Sequence, residues 1–173
     1  MQIEKNGLRK WKHWVEIKND LKNMKPITAR NILISLLLFL GIGALSGGIT
    51  LIISPSGKLL GGLPVSILDH SPFTNFLIPG IILFLIFGFS PCLLTYALIK
   101  KPENRLAEYF NFFKDMYWGW SYCIYVAFAL IIWIQVETII VQGVSWLQTF
   151  YMLYALPLIF VTLPPQIKTI YKK

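Results

Sequence analysis

The chain has 173 residues, 55% of them hydrophobic and 14% charged, with 16 Lys and Arg against 8 Asp and Glu. So large an apolar share exceeds what a water-facing surface tolerates and excludes an ordinary soluble domain. The basic residues behind the net charge of +8 lie outside the apolar runs, so the charge reads as a topology signal and an attraction for anionic lipid, not as a nucleic-acid footprint.

Residues 1–30 form a basic amphipathic segment, with Leu8, Trp11, Trp14, Val15, Ile17, Leu21 and Met24 covering a broad face at helical spacing. Such a segment is expected to lie in the headgroup layer on the cytoplasmic side. Trp11 and Trp14 would point inward, and Arg9, Lys10, Lys12, Lys18 and Lys22 toward lipid phosphates. Thr28, after Pro26, is a candidate cap for the first span.

Residues 31–173 read as one membrane domain. Crossing ~30 Å of hydrocarbon at ~1.5 Å per residue takes about 20 apolar residues. Four runs qualify: roughly Asn31 to Ile53, Phe76 to Ile99, Tyr117 to Val141, and Val144 to Leu163. Unpaired backbone groups are costly in lipid, and the runs lack the alternation of barrel strands, so each is expected to be a helix. The fold class is therefore all-α, a four-transmembrane-helix bundle.

Gly43 and Gly47 in the first run form a GxxxG pair, with Ala44 and Gly48 one residue on, which suggests a close-packing face. The connection 54–75 is rich in turn chemistry and is expected to form a short extracytoplasmic cap. Ser54 to Gly57 would make a tight turn, and Leu63, Val65 and Ile67 a short extended piece. Ser71-Pro72 would start the next helix, while Leu59, Leu60, Leu63 and Ile67 dip toward the membrane. Pro91 and Pro157 each remove a helix hydrogen bond, so kinks or local unwinding are expected there.

Over 102–116, Leu106, Tyr109, Phe110, Phe113 and Met116 recur at three- and four-residue spacing opposite Glu103, Glu108 and Asp115, which predicts a cytoplasmic interfacial helix. Trp118 and Trp120 would mark the membrane interface. Gln142-Gly143 is short enough to force the last two runs into a tight antiparallel hairpin.

Orientation follows from where the cations fall. Eight basic residues precede the first run, four (Lys100, Lys101, Arg105, Lys114) lie between the second and third, and Lys168, Lys172 and Lys173 end the chain. The other two connections hold Lys58 alone. Both termini are thus expected in the cytoplasm of a multi-pass protein, with the first span as its own insertion signal. Cys92 and Cys123 would sit on the reducing side and match no CxxC or zinc spacing, so they read as packing residues.

The stretch Gly43 to Gly80 contains Pro55-Ser56-Gly57, Leu60-Gly61 with Pro64, and Ser71-Pro72-Phe73 followed by Phe76-Leu77-Ile78-Pro79-Gly80. It resembles a signature of small bacterial four-span membrane proteins with no assigned activity. The resemblance covers about a quarter of the chain. It implies a bacterial plasma-membrane location and a recurring outer cap, and brings no substrate or catalytic residue.

Candidates for chemistry are few. Glu137 is the sole charge inside a span, and an intramembrane carboxylate is a functional-site candidate because its charged form is costly there. Its depth matches Gln148 across the hairpin. Lys58, Asp69 and His70 of the cap complete a candidate polar site. No nucleophile elbow, P-loop, HExxH or Gly-rich nucleotide fingerprint is present, so no catalytic residue, metal or cofactor is assigned. The expectation is a structural or accessory protein that binds lipid, a membrane partner or itself. A small transporter with an outward vestibule at Glu137 and a lipid-modifying enzyme are the alternatives.

Overall fold

The structure is a computed structural model that describes residues 25–59, 62, 64–69, 71–143 and 145–173. The headgroup contacts expected of Arg9, Lys10, Trp11, Lys12, Trp14, Lys18 and Lys22, and the site role of His70, lie outside the described residues. Among the described residues the chain is helical, with one isolated bridge, Met116 to Lys172. Helix α1 spans Pro26–Ile53, α2 Leu77–Lys100, α3 Arg105–Tyr109, α4 Trp118–Val141, α5 Trp146–Thr162 and α6 Pro165–Tyr171. Helices α1, α2 and α4 are each long and apolar enough to cross a membrane, and α5 with α6 makes a fourth candidate bent by 66°.

Helix α1 begins at Pro26, five residues ahead of the apolar run, so Thr28 lies inside the helix and caps nothing. Proline suits the first helical position because its fixed φ matches and its missing N–H would have had no partner. Leu33, Leu37 and Leu40 recur at three and four residues and are buried, facing Phe87, Leu94 and Leu98 of α2 and Ala127 and Leu130 of α4 in one core.

The small-residue face is displaced from the GxxxG pair. A Cβ built on Gly48 would lie 2.8 Å from both the N and Cβ of Phe84, and one on Gly41 2.7 Å from the Cys92 sulfur. On Gly43 it would meet only the Tyr151 hydroxyl, at 3.1 Å. Contact between α1 and α2 therefore runs along Gly41, Ala44 and Gly48, at the three-, four- and seven-residue spacings that share one helix face. Gly88 answers from α2, where an added Cβ would meet Leu45.

Within α2, residues Leu83–Phe89 widen into a π-helical stretch in which the Ser90 N–H reaches back to the Leu85 carbonyl. Pro91 explains the widening, since its ring would clash with the carbonyl of Phe87 in a regular α-turn. Helix α5 continues through Pro157, and the chain bends instead where Leu163-Pro164 separates α5 from α6.

The connection after α1 departs from expectation at two places. Val65–Leu68 is a 3-10 turn, with Ile67 N–H bonded to the Pro64 carbonyl, and not an extended piece. The next helix starts at Leu77 and not at Ser71-Pro72. Ser71 instead closes its own turn, accepting from Phe73 N–H and donating to the Leu68 carbonyl, while Asn75 accepts from Leu77 N–H. Leu68 seats between Leu51 and Phe76, whereas Leu59 stays exposed.

The helix expected over 102–116 is confined to Arg105–Tyr109. Asn104 starts it by accepting from Leu106 and Ala107 N–H. Asn111, fully buried, ends it by accepting from Phe113 N–H and donating to the Met116 carbonyl and the Glu108 carboxylate. A side-chain amide that supplies these bonds competes with the helix ladder. Trp120 packs inward: it is buried and donates to the Thr162 carbonyl at 2.9 Å, at the end of α5.

Candidate functional site

Helices α4 and α5 are joined through Gln142, in the left-handed region at φ 51°, and Gly143. Ser145 then caps α5: its hydroxyl accepts from Gln148 N–H at 3.3 Å, and the Gln148 side chain accepts from Ser145 N–H at 2.9 Å. This reciprocal capping box fixes where α5 starts. Gln148 is buried at the depth of Glu137, yet its oxygen is committed to the cap.

Glu137 sits on α4 one turn before its end. Trp133, four residues earlier on the same helix face, donates its indole N–H to Glu137 Oε1 at 2.8 Å. An indole has one donor and a large apolar body, so it supplies a carboxylate with a hydrogen bond while keeping the surroundings dry. The Trp133 ring in turn packs 5.9 Å from Phe87, which holds the donor in place.

Two cavities meet at this pair. One, of about 250 Å³, lies under the 54–76 connection against Leu68, Phe73, Phe76, Ile140 and Gln148. The other, of about 210 Å³, lies deeper between the helices, against Gly43, Gly47, Tyr151, Leu40, Phe87 and Leu130. Both are lined by Leu51, Leu83, Trp133, Glu137 and Leu147. Each is somewhat below the ~300 Å³ at which small-molecule pockets begin, and the two adjoin across these five residues as a two-part chamber. The Tyr151 hydroxyl stands over Gly43 and has no hydrogen-bond partner among the described residues. The chamber is thus a mainly apolar slot whose polar walls are the Glu137 carboxylate, the Tyr151 hydroxyl and the Ser145–Gln148 cap.

The expected site residues separate. Glu137 and Gln148 line the chamber together, whereas Lys58 and Asp69 are exposed and do not line it. Trp133 and Tyr151 were not anticipated. The first had a signal in its four-residue spacing from Glu137, and the capping box had one in Ser145-x-x-Gln148. Tyr151 had none, because its place depends on the small residues of α1. Among the described residues no group of three metal-ligating side chains is present.

Below the chamber the core is closed by Leu33, Leu37, Leu94, Cys123 and Ala127, all buried. Fold and site together define a helical protein with several membrane-spanning candidates and an apolar chamber opening beside a carboxylate. No family model matches the chain, and neither a curated protein nor a solved structure is similar to it.

Proposed function

We propose that this chain is a four-span protein of the bacterial plasma membrane, with both termini in the cytoplasm, that works as an accessory protein by holding a lipid chain in the Glu137 chamber. The single observation behind this reading is the chamber itself: two adjoining cavities lined mainly by apolar residues, with Glu137, Gln148 and Tyr151 among the polar groups on their walls. Water gains little in such a space, while an acyl or isoprenoid chain fills it at no desolvation cost. Glu137 and Tyr151 would orient a hydroxyl or ester at its head.

The placement of charge supports the orientation. Among the described residues, nine cations and three acids flank the end where α1 begins and α2 and α6 finish, against Lys58 and Asp69 at the other. Basic residues concentrate on the cytoplasmic side of short connections, so the chamber would face the outer leaflet.

Native mass spectrometry of the chain purified in mild detergent tests the proposal. One co-bound lipid should be retained, and Gly47→Leu, which projects into the chamber, should lose it. A wild-type chain that sheds every lipid, or a variant that retains it equally, would contradict the assignment. The lipid-modifying alternative draws on the same chamber and requires a new lipid product after incubation. The transporter alternative has no support from the apolar layer beneath Glu137.

A further inference from the structure

The opposite end of the molecule carries a second concavity, of about 640 Å³, between the α2–α3 connection, the start of α4 and the chain's last residue. Lys101 leaves α2 in the left-handed region, at φ 49°, and so turns the chain sharply. The Pro102 carbonyl then accepts from the Tyr117 hydroxyl at 3.0 Å and the Trp118 indole at 3.1 Å, which pins two aromatic side chains as one wall.

Two of the cations lining the concavity are already engaged. Lys101 donates to the Ile170 carbonyl at 2.7 Å, and Lys173 pairs with Glu108. That pairing, with a hydrogen bond from Asn111, offsets one of the two acids that line the concavity; the other, Glu103, is exposed and lies two residues from Arg105. Arg105 has no partner among the described residues. Its guanidinium offers the planar fork of donors that suits phosphate.

Beside the concavity, residues 105–113 fold back along the first turns of α4. Tyr122 donates to the Ala107 carbonyl at 3.3 Å, and Phe112 N–H donates to the Tyr125 hydroxyl at 2.9 Å. Tyr125 lies seven residues, roughly 10 Å, inside α4. Leu106, Phe110 and Phe112 nevertheless keep 76%, 63% and 87% of their surface exposed. Large apolar side chains held alongside a membrane-crossing helix, next to an unmatched guanidinium and two interfacial aromatics, match a phospholipid's anatomy from chain to phosphate.

We propose that this concavity binds an anionic phospholipid of the adjacent leaflet. Arg105 contacts the phosphate, Tyr117 and Trp118 flank the glycerol level, and Leu106, Phe110 and Phe112 sit among the acyl chains. The inference rests on α4 crossing the membrane and not on the Glu137 chamber being occupied.

The test is photo-crosslinking of the full chain in phosphatidylcholine nanodiscs doped with phosphatidylglycerol that carries a photoreactive headgroup, with adducts mapped by peptide mass spectrometry. Adducts are expected on the peptide covering 102–118, outcompeted by unlabelled phosphatidylglycerol. Arg105→Gln should reduce them about fivefold, the equivalent of about 1 kcal/mol per basic residue near an anionic surface, while Arg105→Lys keeps most of them. Absence of adducts in 102–118, or equal labelling of Arg105→Gln, would overturn the proposal. Displacement by millimolar inorganic phosphate as effective as by the lipid would also overturn it, by making the occupant a free anion.

Discussion

Gly48→Ala, set against Gly43→Ala, isolates the contact that holds α1 to α2. At Gly48 the new methyl would start 2.8 Å from the N and Cβ and 2.9 Å from the Cα of Phe84. Carbon contacts are comfortable at about 3.5–4.0 Å, so the helices must part by the better part of an ångström. No side chain can turn aside to absorb this, because the obstacle is largely backbone. Overpacking of that kind costs about 1–3 kcal/mol, and parting the helices also loosens Gly80 against Leu51. At Gly43 the methyl meets only the tip of Tyr151, which can swing into the chamber, and Ala improves helix propensity by about 1 kcal/mol. Unfolding in mixed micelles of mild detergent and increasing SDS should therefore show Gly48→Ala clearly destabilised and Gly43→Ala close to wild type or better. Equal behaviour of the two variants would refute the α1–α2 interface as drawn.

Four further outcomes follow from named contacts. Trp133→Phe removes the indole donor from Glu137 and should cost about 1.5–3 kcal/mol in the same assay, whereas Trp133→Phe combined with Glu137→Leu should recover most of it. Asn111→Ala should release the 105–117 segment, at about 1–3 kcal/mol and with faster amide exchange from Phe113 to Met116. Burial alone would raise the Glu108 carboxyl, but hydrogen bonds from Lys173 and Asn111, with the charges of Lys173 and Lys114, outweigh it and hold Glu108 below its ordinary 4.5. A group lowered in the folded state stabilises fully above its unfolded value and loses that contribution as pH falls through the folded one. Intrinsic-rate-corrected hydrogen exchange across 105–117 should accordingly rise only in acid below the ordinary carboxylate value, and Glu108→Gln should abolish the pH step. A reporter active only in the cytoplasm should work when fused after Lys173 and fail when inserted after Lys58; activity at both places would contradict the orientation.

Helix existence was legible because runs of about 20 apolar residues leave the backbone few alternatives. Helix ends were less so: Pro26, the Ser71 turn and Asn111 each decide a boundary through local hydrogen bonds that hydropathy does not see. Of the small residues expected to form the packing face, Ala44 and Gly48 lie on the close contact and Gly43 does not, because Gly41, Gly43, Gly47 and Gly48 together offer several faces and only the partner helix selects among them. The inward packing of Trp120 was not legible from its position near a span end, because it depends on the Thr162 carbonyl at the end of α5 meeting its indole. Glu137 was visible as a lone charge in an apolar run. The chamber around it was not, since it forms where α1, α2, α4 and α5 fail to close behind two glycines.

Lipid occupancy of that chamber is tested most directly by a phospholipid bearing a diazirine midway along its acyl chain. After reconstitution of the full chain and irradiation, adducts are expected on Leu147 to Tyr151 and on Trp133 to Ile140, and they should fall sharply in Gly47→Leu. Adducts confined to Phe128, Ile132 and Ile139, which are exposed on α4, and unchanged by Gly47→Leu, would mean that the chamber holds no lipid chain.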